Sequence, residues 1–257
     1  MSRIEIMGVE ICDLNNSEAI IEAKKILGQQ KEIPDTVYTP NTEIVMMCQK
    51  DHLLKSIINA GSLILPDGIG LVIGSRIKKK PLRERVTGFD TSVALLDIAK
   101  EKGYKVFLLG GAPGVAELAT ENIGIKYGDI VCGYQHGYFK GYHSGYSNSD
   151  EEKSIIDRIN RLKPDILFVG FGSPRQEKWI DQYLNQLNVR LIIGNGGTID
   201  VLSGQVKRAP MIFQRLGLEW FYRLIKDPKR IKRQILLPLF LFKILLGPDD
   251  IVKTLKN

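Results

Sequence analysis

The chain has 257 residues, of which 44% are hydrophobic and 25% charged, and a net charge of +7. That length holds one large core or two small ones, and the composition excludes a disordered or fibrous chain. Three scattered cysteines, Cys12, Cys48 and Cys132, do not make a disulfide framework and suit a reducing cytosol; the opening MSRIEIMGVEIC lacks the apolar core of a signal peptide.

Taken in chain order, Ile4–Ile11 reads as a strand or hairpin and Ser17–Gln29 as a helix capped by Asn16 or Ser17. Thr36–Thr39 is a short strand, Thr42–Ala60 a helix, and Ser62–Pro66 a strand that ends at Asp67-Gly68. Asp90–Lys102 is a helix, Lys105–Leu109 a buried strand, Val115–Tyr127 a helix and Asp129–Cys132 a strand. Asp150–Leu162 (helix), Asp165–Val169 (strand), Pro174–Leu187 (helix) and Arg190–Ile193 (strand) complete the series. Such alternation predicts an α/β, Rossmann-like core over residues 1–206, with a mostly parallel sheet flanked by helices. Between Cys132 and Asp150 the run GYQHGYFKGYHSGYSNS reads as a long, mobile loop.

Residues 207–257 differ in character and are expected to form a helical appendage. From Lys207 to Lys243 ten basic residues face only Glu219 and Asp227, a net +8 that leaves about −1 for the rest of the chain. The same stretch holds Trp220-Phe221-Tyr222 and the apolar run Ile235 to Leu246. This composition fits a membrane-surface element; it fits equally a helix pair packed on the core with a solvated basic face. The apolar run is well short of the roughly 20 residues that span a bilayer. Nucleic acid is the weaker reading of the charge, because the body is near neutral and the basic residues are interleaved with Leu, Ile, Phe and Trp.

Three strands enter glycine-rich turns, LLGGAPG at 108–114, FVGFGSPRQ at 168–176 and IIGNGGTID at 192–200. Glycines at the carboxyl ends of sheet strands let backbone N–H groups approach phosphate. None of the three is a full dinucleotide fingerprint, since Arg175 and Ile199 stand where a third glycine belongs, and a mononucleotide fits better. No Asp-x-Asp occurs, and His52, His136 and His143 are not clustered, so no metal is expected and a diphosphate would need arginine or lysine. The nucleophile elbow GxSxG is missing, which argues against a serine hydrolase. Asp67 follows a strand, where a carboxylate can face a pocket, although Asp67-Gly68 also reads as a plain turn and Asp90 as a helix cap.

TPNTEIV, LPDGIG, ERVTGFD, LLGGAPGVAE, FVGFGSPRQEKWI, GNGGTIDVLSG and KRAP…LGLEWFYRLIKDPKR, in this order, resemble the WecG/TagA/CpsF family of bacterial glycosyltransferases. The resemblance runs from about Ile4 to about Leu246 and is strongest to the N-acetylmannosaminyltransferases of wall teichoic acid synthesis. It implies inverting, metal-independent transfer of ManNAc from UDP-ManNAc to undecaprenyl-diphosphate-linked GlcNAc, forming a β-1,4 linkage at the inner face of the plasma membrane. Close alternatives keep the mechanism and change the donor to UDP-ManNAc uronic acid or UDP-glucose; another class is a non-catalytic nucleotide-sugar binding subunit.

By resemblance, Asp67 is the general base, Thr39 and Asn41 line the sugar pocket, and Arg85 and Gln176 bind substrate. Gly110, Gly111, Gly196 and Gly197 hold the nucleotide, with Asp200 at the ribose or uracil. Arg223, Arg230 and Arg233 of the appendage offset charge on the departing UDP. Asp227-Pro228 predicts a helix break between the first of these arginines and the other two. The implied partners are the UDP-sugar, the lipid-linked acceptor and an anionic membrane surface, with a homo-oligomer as a further expectation should the appendage detach and bare apolar surface.

Overall fold

The computed structural model describes residues 1–228 and 231–255, with the backbone alone at residues 223 and 232. The N-terminal hairpin pairs β1 (Arg3–Ile6) with β2 (Val9–Cys12), and helix α1 (Asn16–Leu27) follows. Asn15, one residue earlier than expected, caps α1 through a capping box with Glu18, each side chain satisfying the other's backbone N–H. Strand β3 (Asp35–Tyr38) leads into α2 (Thr42–Cys48) and α3 (His52–Asn59). The single helix expected over Thr42–Ala60 is thus two, because the Asp51 side chain accepts the Leu54 N–H and starts a new helix.

Strand β4 (Leu63–Ile64) precedes α4 (Ile69–Ile77), a helix the sequence reading did not anticipate. Next come α5 (Gly88–Lys102), β5 (Val106–Gly110), α6 (Val115–Tyr127) and β6 (Val131–Gln135). Helices α7 (Asp150–Leu162) and α8 (Arg175–Tyr183) flank β7 (Ile166–Gly170), and β8 (Leu191–Gly194) leads to α9 (Thr198–Leu202). Six strands form one parallel sheet in the order β4-β3-β8-β7-β5-β6. Its inner strands read DTVY, LIIG, ILFVG and VFLLG, nearly unbroken apolar runs, as a sheet covered on both faces requires. The chain enters at β3, moves outward to β4, and returns to β3's other side only with β8, so the direction of strand order reverses beside β3. That reversal opens a crevice at the carboxyl ends of the strands.

The C-terminal part comprises α10 (Met211–Arg215), α11 (Glu219–Lys226), α12 (Ile231–Gln234), α13 (Leu236–Leu246) and β9 (Val252–Leu255). The expected break at Asp227-Pro228 separates α11 from α12. Helix α13 packs on α4 and α2 with Phe240 and Ile244 fully buried. Beyond it, β9 adds antiparallel to β1, matching Arg3 with Leu255 and Ile6 with Val252, and completes a small second sheet. Among the described residues no helix is long and apolar enough to cross a membrane.

The run 133–149 is only partly a loop. Its first residues extend β6, and Tyr142–Ser144 form a short 3₁₀ turn. Glu152 of α7, 1% exposed, draws the segment inward: its carboxylate accepts the Tyr142 and Asn148 N–H groups, the Trp179 indole N–H and the Tyr183 hydroxyl. Four donors replace the water a buried carboxylate loses.

Candidate active site

A cavity of about 880 Å³ lies beyond the carboxyl ends of β3, β4, β5, β7 and β8. One end is the turns after β5, β7 and β8, represented by Gly111, Gly172, Gly196 and Gly197. The other is Thr39, Asn41, Asp67 and the stretch Arg85–Phe89. The segment 137–146 forms one wall. There the His143 ring stacks on Phe171, with centroids 4.1 Å apart, and its Nε2–H donates to the Gly137 carbonyl at 2.9 Å. Burial pulls the His143 pKa below its ordinary value, so the ring is neutral at pH 7.

The glycine turns are held together by two devices. At Gly110 (φ +148°) a Cβ would lie 2.6 Å from the Gly170 carbonyl oxygen, so only glycine lets the ends of β5 and β7 close on each other. Gln176 ties the other two turns: its Oε1 accepts the N–H groups of Gly172 and Gly196, both at 3.1 Å. The Gln176 amide is oriented in turn by Glu177, whose Oε1 accepts its Nε2–H at 3.0 Å. Glu177 is 3% exposed, and burial raises its carboxyl above the usual range.

Asp67 lies at the opposite end, against the start of α5. Its Oδ2 accepts the Gly88 N–H at 3.2 Å, and its Oδ1 faces Arg85 Nη2 at 3.4 Å. Its carboxylate thus sits at the positive end of α5. Arg85 also donates from Nε to the Asp67 carbonyl (2.5 Å) and from Nη2 to Glu219 Oε2 (2.5 Å). Glu219, 5% exposed at the start of α11, also receives Arg208 Nε at 3.4 Å. Arg208 makes a bidentate pair with Asp90 (2.6 and 2.9 Å) and lies over the Phe89 ring. Burial pushes the Asp90 carboxyl up, but the Arg208 hydrogen bonds and charge, with the Thr87 hydroxyl, outweigh it and hold it below the usual range. Thr87, not Asp90, caps α5, and Asp90 sits in its first turn. A charge-paired chain thus runs from Asp67 through Arg85 and Glu219 to Arg208 and Asp90, joining the C-terminal helices to the sheet's edge.

Residues 4–248 match the sequence model of the Glycosyl transferase WecG/TagA/CpsF family. The chain belongs to this glycosyltransferase family. Proteins from Staphylococcus aureus strains MRSA252, MW2 and NCTC 8325, each called N-acetylglucosaminyldiphosphoundecaprenol N-acetyl-beta-D-mannosaminyltransferase, are 34% identical to it over 243 residues. The alignment covers 95% of this chain and 92% of theirs.

This glycosyltransferase brings most of its sequence-derived candidates to one cavity: Thr39, Asn41, Asp67, Arg85, Gly111, Gln176, Gly196, Gly197, Asp200 and Arg233 all line it. Gly110 sits one residue back and shapes the turn rather than the wall. Asn41 also caps α2 by accepting the Ile44 N–H at 3.0 Å. Arg233 reaches Glu43 at 2.7 Å. Arg223 lies on α11, with its side chain outside the description, and Arg230 lies outside the described residues. Sequence reading missed Arg208, Glu219 and the wall 137–146. Glu219 did carry a signal, as one of only two acids in a strongly basic stretch. Among the described residues no group of three or more His, Cys, Asp and Glu is arranged to hold a metal ion.

Proposed function

We propose that the enzyme transfers ManNAc from UDP-ManNAc to the 4-hydroxyl of GlcNAc on undecaprenyl diphosphate, inverting the anomeric carbon. The observation that carries this reading is the placement of the Asp67 carboxylate in the same cavity as three glycine turns, in a chain 34% identical to enzymes named for ManNAc transfer to that acceptor. The acceptor O4 attacks C1 of the donor sugar and its proton passes to the Asp67 carboxylate. The bond from C1 to the phosphate oxygen breaks, and its electron pair leaves with UDP.

In this reading Gly111, Gly196 and Gly197 receive the nucleotide through backbone N–H groups, and Asp200 takes the ribose or uracil. Gln176 acts by fixing the turns. Thr39 and Asn41 bound the sugar. Charge on the leaving UDP is met by arginines, with no metal ion: Arg85, Arg208 and Arg233 line the cavity, and Arg223 and Arg230 join the same role. The exposed Leu239, Phe242, Leu245 and Leu246 of α13, beside the basic stretch, suit peripheral docking on an anionic surface at the inner face of the plasma membrane, where the lipid-linked acceptor resides.

Asp67→Asn tests the reading. Transfer, followed by mass spectrometry with UDP-ManNAc and a GlcNAc-diphosphate-lipid analogue, should fall by about 10²–10⁴-fold while UDP affinity is kept. Transfer at the wild-type rate would remove Asp67 as the base. EDTA should leave the wild-type rate unchanged, and UDP-glucose or UDP-ManNAc uronic acid should not replace the donor.

A further inference from the structure

A second cavity, of about 170 Å³, meets the large one at Asp67. The two share Asn41, Glu43, Asp67, Arg85, Glu219 and Arg233. From there the small cavity runs away from the glycine turns, between the start of α4 and the C-terminal helices, past Ile69, Gly70, Trp220 and Leu237. Its polar end holds three carboxylates, Glu43, Glu219 and Asp67, together with the arginines that pair with them, Arg233 and Arg85. Its far end is apolar. At Gly70 a Cβ would stand 2.4 Å from both Leu237 Cδ1 and Thr42 Cγ2, so α4 presents bare backbone where α2 and α13 meet it.

We infer that this small cavity is the acceptor-sugar subsite: it takes the hexosamine of a sugar–diphosphate–lipid, with the ring against Trp220. The inference rests on the proposed reaction and adds where its second substrate sits. In an inverting displacement the attacking oxygen enters opposite the leaving group, and the base must touch that oxygen. The leaving diphosphate belongs to the glycine turns, so the attacker comes from the far side of Asp67, which is where the small cavity lies. Its lining matches a sugar. Carboxylates accept hydrogen bonds from ring hydroxyls, and an indole offers a flat apolar face to the C–H side of a pyranose. The route onward matches a lipid, since α4 and α13 expose Ile73, Ile77, Phe242 and Leu245 on their outer sides.

Trp220 also supplies the assay. The chain has two tryptophans, and Trp179 is fully buried, so Trp220 is the one a ligand in this cavity can touch. Two probes are titrated against the full chain by tryptophan fluorescence: a GlcNAc-diphosphate carried on a short alkyl chain, and the same alkyl diphosphate without the sugar. Binding to Trp220→Ala is followed by competition with a labelled probe, and acceptor and donor KM are measured alongside. The sugar-bearing probe should bind Trp220→Ala about tenfold more weakly, a loss of about 1.4 kcal/mol. The sugarless probe and UDP should bind both proteins equally, acceptor KM should rise while donor KM holds, and Trp220→Phe should recover most of the loss. Equal weakening of both probes, or unchanged acceptor KM in Trp220→Ala, overturns the subsite. If the wild type binds the sugar probe through Trp220 but does not use UDP-ManNAc, the subsite stands and the donor assignment falls.

Discussion

Glu152→Gln isolates what holds the cavity wall 137–146 in place. The glutamate carboxylate accepts two donors on each oxygen: Tyr142 N–H (2.7 Å) and Trp179 Nε1–H (2.9 Å) on Oε1, Tyr183 O–H (2.5 Å) and Asn148 N–H (3.2 Å) on Oε2. A glutamine amide keeps one oxygen and presents an NH₂ to the other pair. The least costly orientation keeps oxygen toward Tyr142 and Trp179, whose donors are fixed, and turns NH₂ toward Tyr183, whose hydroxyl can rotate to accept. Asn148 N–H is then left facing a donor, and the remaining bonds lose their charge assistance. At roughly 1.5–3 kcal/mol for a hydrogen bond to a charged group, the net loss is about 2–4 kcal/mol. The wall can open without unfolding the sheet, so the cost appears as local opening. Hydrogen exchange across 137–149 should accelerate by about 30- to 1,000-fold, with β5 and β7 unchanged, and UDP affinity should fall with it. Unchanged exchange in that segment would show that Glu152 does not hold the wall.

Glu177→Gln tests the buried acid behind Gln176. Burial raises the Glu177 carboxyl, so the folded state keeps its proton longer than the unfolded chain. Its stabilising contribution is full below the unfolded carboxyl pKa of about 4.3 and is lost as pH rises through the raised folded value. Glutamine mimics the protonated form, so in urea unfolding the variant should gain stability on the wild type as pH rises above the unfolded carboxyl pKa of about 4.3; a constant difference would refute a raised pKa. Glu219→Gln leaves Arg85 and Arg208 facing each other with one carboxylate fewer. Docking of α11 should weaken by about 2–3 kcal/mol, less than for a fully buried pair because both arginines are partly exposed. Trypsin should cut the 211–226 region faster, and an unchanged rate would show the pairing carries no docking energy. Removing residues 248–257 deletes β9 and the fully buried Val252. At about 1.5–3 kcal/mol for that side chain, Tm should drop by about 5–10 °C, and an unaltered Tm would mean the β1 edge needs no partner.

The sheet was legible because its inner strands are short apolar runs separated by amphipathic helices, a pattern that burial on both faces imposes locally. Boundaries failed where one polar side chain decides them. Asp51 splits a helix that periodicity alone continues, and Asn15 rather than its neighbours caps α1. Asp67 and the glycine turns stood out because strand ends are sequence landmarks. Arg208, Glu219 and Asp90 did not, since their pairing joins residues far apart in the chain and depends on how α11 seats. The run 133–149 looked mobile from its Gly and Ser content. What orders it is Glu152, which lies outside the run and reads in sequence as an ordinary first-turn helix acid.

The pairing of β9 with β1 also has a temporal side. On the ribosome the N-terminal segment emerges first, yet the outer edge of β1 has no strand beside it until residues 252–255 have been made. Everything between, including the apolar α13, leaves the exit tunnel earlier. The newborn body must therefore wait with an open strand edge, a state prone to pairing with the wrong chain, while a greasy helix appears just ahead of the strand that closes it. Helix α13 seats on α4 and α2 only a few residues before β9, so its packing brings β9 toward the open edge of β1. A chain arrested between residues 200 and 218 would have its glycine turns and its Asp67 but not Glu219, the carboxylate that joins the C-terminal helices to them.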